Sequence, residues 1–225
     1  MLKGLTSNQL KLIAMVTMTI DHIGMILFPQ NLWFRVIGRL AFPIYAFLIA
    51  EGCHHTRSIP KYLRSVALMA LLCQTVSFLV VGSLYQCILV TFSMSIALVF
   101  LMQKAKQTRS FLLYLTFAAA LTAVWFVTET LPHLLSGTDY DVDYGFLGVI
   151  LPVAVWLMPR KRYKLLAAAA VMLVMALNNW FQWFALGALL LLAFYNGQRG
   201  RHNIKPLFYW YYPAHLGVLH LISML

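Results

Sequence analysis

The sequence predicts an all-α, polytopic integral membrane protein, and three observations lead to this prediction. Of the 225 residues, 62% belong to the apolar set AVILMFWYC and only 10% are charged, whereas a soluble domain carries about 25% charged residues. The apolar residues gather in nine stretches, and a transmembrane helix needs roughly 20 such residues. Basic residues collect in alternate loops between the stretches. This composition excludes a soluble enzyme, a disordered chain and a disulfide scaffold.

Each apolar stretch is expected to form one transmembrane helix of a bundle. The nine stretches, numbered as spans one to nine, are Leu10–Phe28, Trp33–Ile49, Ser65–Val81, Leu84–Met102, Phe111–Thr128, Tyr144–Met158, Leu165–Leu177, Trp180–Tyr195 and Leu207–Leu225. Spans six and seven are short, so they would need tilting or their flanking polar residues to cross. Span one is too long for a cleavable signal and is expected to remain. No linker or repeat divides the chain, which predicts a single domain over residues 1–225.

Lysine and arginine orient the predicted bundle. Fifteen of the 17 basic residues lie at the start of span one or in the loops after spans two, four, six and eight. The other loops carry none, and the loop after span five carries three aspartates. The positive-inside rule therefore predicts an inner N-terminus and an outer C-terminus. We attribute the net charge of +11 to this asymmetry and to anionic lipid. Nucleic acid is not expected as a partner, because no basic stripe alternates with exposed aromatic residues.

The two remaining basic residues, Arg35 and Arg39, lie inside span two, and span one carries Asp21 and His22. A rise of 1.5 Å per residue places Asp21 about 10 Å below the outer end of its span. The same rise places Arg39 about 9 Å below the outer start of its span. Charges at membrane depth usually face a partner or an interior cavity. These side chains are therefore predicted to meet.

This cluster is open to two interpretations. As a structural pair, Asp21 and Arg39 would neutralise each other and hold the first two spans together. As a catalytic group, His22 would take and return a proton, Asp21 would support the imidazolium and Arg39 would stabilise an oxyanion. Adjacent helical residues point about 100° apart, so Asp21 need not touch His22. These residues by themselves do not separate an acyltransferase from a proton-coupled transporter.

Further polar residues border or interrupt other spans. His215 lies near the middle of span nine, where it is either a hydrogen-bonded helix contact or a functional group. Glu51 lies near the inner end of span two, followed by His54 and His55. These two histidines have no third ligand at a suitable spacing, and the three cysteines fit no metal pattern. The sequence therefore predicts no metal site.

Glycines and basic side chains follow span eight in Tyr195-Asn196-Gly197-Gln198-Arg199-Gly200. Such a segment either ends a helix or offers backbone N–H groups to a phosphate. The candidate phosphate-binding residues on the predicted inner face are Asn196, Arg199, Arg201, Lys205, Arg57, Lys61 and Arg64.

Several blocks, taken in order along the chain, resemble the TraX family, which is named for the membrane acetylase of conjugative pilin. The blocks are Thr19-Ile20-Asp21-His22-Ile23-Gly24, Gly38-Arg39-Leu40-Ala41-Phe42-Pro43, Ala50-Glu51-Gly52, Tyr195-Asn196-Gly197 and Tyr212-Pro213-Ala214-His215. The resemblance covers nearly the whole chain and is loosest in its centre. There the chain departs from the family pattern at Gln74 and at Gln86-Cys87.

The resemblance implies a transmembrane acyltransferase of the bacterial inner membrane. It implies acetyl-CoA as the cytoplasmic donor, bound through its phosphates by the inner basic loops. It also implies an outer acceptor, either a protein N-terminus or another amine or hydroxyl of the cell envelope. The catalytic residues that it implies are His22, Asp21, Arg39, Arg35, Glu51 and His215.

Two other functions remain open. One is a proton-coupled transporter or lipid flippase that uses Asp21, His22 and Glu51 as a relay. The other is an assembly factor without chemistry. The transporter is less favoured, because no glycine-interrupted pair of half-helices recurs in two halves of the sequence.

Overall fold

The computed structural model describes residues 4–201 and 204–223, and this part of the chain is helical, with two isolated bridges and no β-strand. It contains two compact units. The first unit comprises Met1–Leu48 and Arg160–Leu225, and the second comprises Ile49–Pro159. The all-helical prediction is confirmed. The prediction of a single domain over residues 1–225 stays a prediction.

The helices follow the predicted stretches in chain order. The α-helices are α1 (Ser7–Leu27), α2 (Leu32–Gly38), α3 (Ala41–His55), α4 (Ile59–Val81), α5 (Ile88–Thr108), α6 (Phe111–Trp125), α7 (Leu131–Leu134), α8 (Gly145–Leu157), α9 (Lys161–Asn178), α10 (Ala188–Ala193) and α11 (Lys205–Ser223). A π-helical turn, Phe126–Thr130, joins α6 to α7, and a 3-10 helix, Trp180–Gly187, precedes α10.

Within residues 4–201 and 204–223, five helical segments are long and apolar enough to cross a membrane. They are Ser7–Leu27, Leu32–His55, Ile59–Val81, Ile88–Thr108 and Phe111–Leu134. Two further apolar segments, Gly145–Leu157 and Trp180–Ala193, are shorter. These lengths agree with a helical membrane protein, whereas the number of nine spans and the orientation stay predictions.

Predicted span two is broken into α2 and α3 by two non-helical residues, Arg39 and Leu40. Pro43 explains the break, because a proline ring clashes with the carbonyl four residues earlier, which belongs to Arg39. In the first turn of α3 the missing N–H of Pro43 costs no helical hydrogen bond. The break therefore places Arg39 just after the end of α2, next to α1.

Predicted span three begins six residues too late, because α4 starts at Ile59. The Ser58 side chain accepts the Lys61 N–H at 3.4 Å, and Pro60 lies in the first turn. The first turns of α4 therefore carry Lys61 and Arg64, whose charges end the apolar pattern on which the sequence prediction depended.

Predicted span five ends six residues too early. The helix continues through the π-helical turn, in which the Leu131 N–H donates to the Phe126 carbonyl five residues back. Glu129 interrupts the apolar pattern at this point, but its carboxylate accepts the N–H of Phe146 at 2.8 Å, at the start of α8. A charged residue that looks like a helix end in the sequence therefore caps another helix.

The second unit is built around α5, which packs on α4, α6 and α8. Its buried face includes Ile96 and Val99, and the Ser95 hydroxyl donates to the Val149 carbonyl of α8 at 2.8 Å. The loop before α5 also pairs with the acidic loop before α8, since Gln86 and Val142 form a bridge. Short α8 is thus held by contacts on several sides.

The first unit begins with a segment that pairs with the chain after α10. The Leu5 N–H donates to the Phe194 carbonyl at 2.8 Å, and the Asn196 N–H donates to the Leu5 carbonyl at 2.9 Å. Thr6 and Gln9 then form a capping box at the start of α1. Beyond it, Leu10 and other apolar side chains of α1 are buried.

Candidate functional site

The first unit brings five of the six predicted catalytic residues into two adjoining groups. The groups are Asp21 with Arg35 and Arg39, and His22 with His215. Asp21 and His22 are neighbours on α1, about one and a half turns before its end at Leu27.

The Asp21 carboxylate is shared between two guanidinium groups. Arg35 Nη1 donates to Oδ2 at 3.1 Å, and Arg39 Nη2 lies 3.8 Å from Oδ1. The predicted meeting of Asp21 and Arg39 is thus present, but Arg35 is the closer partner. The ring of Phe181 lies under Arg39, with its centroid 5.6 Å from Cζ. This contact places an aromatic ring against one side of the guanidinium.

Two glycines allow α1 and α2 to approach closely enough for this ion pair. A Cβ atom on Gly38 would overlap the carboxyl group of Asp21, and a Cβ atom on Gly24 would overlap the Cβ atom of Phe34. Any larger residue at position 38 must therefore displace the carboxylate or the helix.

The His22 and His215 rings form a direct contact between α1 and α11. His22 Nδ1 lies 2.7 Å from His215 Nε2, and the two rings are stacked with centroids 4.9 Å apart. His215 Nδ1 in turn lies 2.8 Å from the backbone carbonyl of Tyr211. His215 is buried, with 8% of its surface exposed.

This chain of contacts assigns the tautomers of both neutral rings. A carbonyl only accepts hydrogen bonds, so His215 Nδ1 must carry the proton that reaches Tyr211. A neutral imidazole carries one N–H, which leaves His215 Nε2 as an acceptor. His22 Nδ1 must then be the donor in the pair. The lone pair of His22 therefore resides on Nε2, the atom on which the ring can accept a proton.

Asp21 makes no hydrogen bond to His22 in the described part of the chain, since Arg35 and Arg39 engage its oxygens and His215 engages the ring. If Asp21 supports an imidazolium, as the sequence suggested, it acts through space. The residue that orients the His22 ring by a hydrogen bond is His215.

Sequence reasoning missed two residues beside the imidazole pair. The Tyr211 ring stacks on the His215 ring with centroids 4.9 Å apart, and its hydroxyl lies 2.5 Å from Thr19 Oγ1. Tyr212 presents an edge to both histidine rings. Thr19 lies one helical turn before His22 on α1. In the sequence, the hydroxyl at this spacing is the signal for a polar contact beside the histidine.

Glu51 lies in the second unit. Its carboxylate is 3.5 Å from His55 Nε2, one turn later on α3. Of the two adjacent histidines His54 and His55, His55 therefore has Glu51 as a partner. The predicted membership of Glu51 in the catalytic group stays a prediction.

The predicted phosphate-binding residues fall into two sets. In the first unit, Asn196 has a structural role, because its Nδ2 donates to the Gly4 carbonyl at 3.0 Å and its Oδ1 accepts the Gln198 N–H at 2.9 Å. Arg199 and Arg201 are exposed beside it, and the side chain of Lys205 lies outside the described residues. In the second unit, the predicted residues Arg57, Lys61 and Arg64 are exposed. Binding of phosphate by either set stays a prediction.

Comparison with known proteins assigns the chain to a family. The model of the family described as TraX protein matches residues 6–223. A relative from Dichelobacter nodosus, named probable fimbrial assembly protein FimC, serogroup H1, is 27% identical, over 94% of this chain and 93% of its own. The uncharacterized protein RP591 of Rickettsia prowazekii (strain Madrid E) is 50% identical over 38 residues, 17% of this chain and 15% of its own. No solved structure matches. Since the family match covers nearly all the described residues, the chain belongs to the TraX family.

Proposed function

We propose that this protein is an acetyltransferase of the bacterial inner membrane. It moves an acetyl group from cytoplasmic acetyl-CoA to an amine, or a hydroxyl, at the outer side of the membrane. The observation that carries the proposal is the 2.7 Å contact between His22 and His215. This contact leaves His22 Nε2 as a proton acceptor on α1, next to Asp21, whose two guanidinium partners lie on α2 and just after it.

The proposed reaction begins when the amine nitrogen of the acceptor attacks the carbonyl carbon of the thioester. At the same time, His22 Nε2 removes a proton from that nitrogen. The carbonyl oxygen becomes an oxyanion, which Arg39 stabilises through its guanidinium N–H groups. The carbon–sulfur bond then breaks, the acetyl group remains on the acceptor and the coenzyme A thiolate takes the proton from His22. Through both states His22 Nδ1 keeps donating to His215, so the ring holds its orientation while Nε2 gains and loses the proton.

The end of the hydrogen-bond chain favours this reaction over proton transport. A relay for net transport must hand its proton onward, whereas a backbone carbonyl such as that of Tyr211 accepts a hydrogen bond without carrying the proton further. The chain from His22 to His215 thus suits a base that gives the proton back on the same side.

The name of the Dichelobacter relative suggests where the acceptor is found. It is a probable fimbrial assembly protein, and we propose that the acceptor here is a subunit of a surface appendage or another envelope component. Acetylation would then be one step in preparing that component. A second candidate function, favoured by the same name, is assembly without chemistry.

Substitution of His22 tests the acetyltransferase. His22→Ala is expected to lower kcat for acetyl transfer by roughly 10² to 10⁴, the usual contribution of a general base. Purified wild type and variant should both be thermally stabilised by coenzyme A, because ligand binding to the folded state raises apparent stability. His133→Ala, which removes an exposed histidine of the second unit, is the matched control.

The outcomes separate the candidates. Wild-type activity per folded His22→Ala molecule would remove His22 from the mechanism and leave the ion pair as a structural feature. If His22→Ala restores appendage assembly in cells that lack the protein, and mass spectrometry finds no acetyl group on envelope proteins from wild-type cells, the assembly function stands without chemistry.

A further inference from the structure

A cavity of about 470 Å³ lies beside the ion pair, within the first unit. Its walls come from α1, α2 and the 3-10 helix, and they include Arg35, Arg39, Asn179, Trp180 and Phe181. The volume is in the range of small-ligand sites, which usually combine apolar walls with a few polar groups. By the predicted topology, this cavity is at the outer ends of its helices.

The charges beside this cavity do not cancel. Asp21 is the sole acidic side chain in the sequence of the first unit, and it faces two guanidinium groups. Asp21, Arg35 and Arg39 together carry one net positive charge. This positive charge beside the cavity favours an anionic ligand over a neutral or cationic one.

The donors needed to hold an anion are present on the cavity wall. Arg35 uses Nη1 for Asp21, and a guanidinium has five N–H donors in a planar fork that matches carboxylate and phosphate. Its side chain is 29% exposed, so a ligand can reach it. Asn179 adds an amide, whose Oδ1 accepts the Phe181 N–H at 3.1 Å, which leaves Nδ2 as the donor.

The cavity and the proposed base are close along α1. Met25 lines the cavity and is three residues after His22, about 4.5 Å along the helix axis. A ligand with its anionic group against Arg35 and an amine about one helical turn further along α1 would bring that amine to the level of the imidazole.

We propose that this cavity binds the anionic group, a carboxylate or a phosphate, of the molecule that receives the acetyl group. The assignment of this molecule as the acceptor rests on the proposed acetyltransferase function. The binding of an oxyanion by Arg35 and Asn179 does not.

The test compares peptides that differ in one charge. Ala-Leu-Glu-amide and Ala-Leu-Gln-amide share an N-terminal amine, and Ala-Leu-phosphoserine-amide and inorganic phosphate extend the series to phosphate. Binding to the full chain in detergent is measured by calorimetry without acetyl-CoA, and acetyl transfer is measured separately. The variants are Arg35→Gln, which removes the fork, and Met25→Trp, which fills the cavity without changing charge. Arg160→Gln, at an exposed position of the same unit, is the control.

We expect the wild type and the Arg160→Gln control to bind the glutamyl or the phosphoserine peptide about 10-fold tighter than the glutaminyl peptide, the usual effect of a charge-assisted hydrogen bond. Arg35→Gln should reduce this ratio to about 1, and Met25→Trp should weaken both members of the pair. The arm with the larger ratio identifies the anion.

Equal binding of charged and neutral peptides by the wild type would overturn the proposal, as would a preference that persists in Arg35→Gln. Binding of inorganic phosphate without any peptide preference would overturn the assignment to an acceptor. A charge preference in binding, without acetyl transfer to any peptide, would keep the anion site and contradict the acetyltransferase.

Discussion

At the scale of single residues, His215 determines which nitrogen of His22 is available for chemistry. It accepts from His22 Nδ1 and donates to the Tyr211 carbonyl, and both contacts are shorter than 2.9 Å. Without His215, the His22 ring would be free to adopt either tautomer and to rotate. In the proposed mechanism His215 is thus a positioning residue, in the place that a carboxylate takes in hydrolytic triads.

His215→Ala should lower kcat by about 10- to 100-fold, less than the loss of His22 itself, because the base remains but its tautomer is no longer fixed. His215→Gln should retain more activity, because its amide oxygen can still accept from His22. Nitrogen NMR of labelled His22 is the accompanying measurement, and it should find Nδ1 protonated in the wild type and a mixture in His215→Ala. An unchanged kcat in His215→Ala would contradict this role.

Gly38 is the second residue on which the site depends. Gly38→Ala should destabilise the protein by about 1 to 3 kcal/mol, the usual cost of an added group in a packed interface. It should also reduce acetyl transfer per folded molecule, because the Asp21 carboxylate must move.

The matched control is Gly217→Ala on α11, where an added Cβ meets no atom within 4 Å. There we expect no loss, since alanine favours a helix over glycine by up to about 1 kcal/mol. Thermal unfolding in detergent gives the comparison. Equal stabilities of the two variants would contradict the close approach of α1 and α2.

At the scale of helices, polar side chains hold the loops and one helix end of the second unit in place. The acidic loop before α8 is held by hydrogen bonds, because the exposed Asp139 accepts the Ser83 hydroxyl at 2.5 Å and the Leu84 N–H at 2.9 Å. These hydrogen bonds lower the pKa of Asp139 below its usual value. Two loops of the second unit are thereby joined at one end of the helices.

Glu129 caps α8 across this region, since Tyr144 at the start of that helix provides no side-chain cap. Glu129→Ala should lower the stability of the folded protein by about 0.5 to 2 kcal/mol, the range for a lost N-cap. Glu129→Gln keeps an acceptor oxygen and should lose less. Hydrogen exchange at the Phe146 amide reports on the cap directly, and exchange that stays slow in Glu129→Ala would contradict it.

The sequence predicts the helices well where apolar runs are uninterrupted, and it fails where charge or proline enters a helix. The continuation past Thr128 carries Glu129, whose partner Phe146 is 17 positions away. The extra turns of α4 carry Lys61, whose charge ends the apolar pattern. The meeting of Asp21 with Arg39 is predicted correctly, because counting residues places both at nearly the same depth below the outer ends of their spans. The contact of His22 with His215 joins residues 193 positions apart, and no local pattern encodes such a pairing.

At the scale of the whole molecule, the distribution of charge and the lengths of the helices predict different numbers of transmembrane segments. Alternate loops carry 15 of the 17 basic residues, and by the positive-inside rule this pattern predicts that every span crosses the membrane. Yet α8 has 13 residues, about 20 Å at 1.5 Å per residue, against a hydrocarbon core of about 30 Å. Trp180–Ala193 is similarly short. Crossing by these segments needs flanking residues or a thinner membrane around the protein.

Reporter fusions on both sides of each short segment show whether that segment crosses the membrane. With a reporter that is active only outside the inner membrane, fusions after Gly137, Asn179 and Leu225 should be active. Fusions after Arg162 and Gly200 should be silent, because the positive-inside rule holds their basic neighbours in the cytoplasm. A reporter that fluoresces only in the cytoplasm should give the opposite pattern and exclude poor expression as a cause of silence. Equal signals after Gly137 and Arg162 would mean that α8 does not cross. Equal signals after Asn179 and Gly200 would mean that Trp180–Ala193 does not cross. The predicted depths of Asp21 and Arg39 in the membrane also require an inner N-terminus.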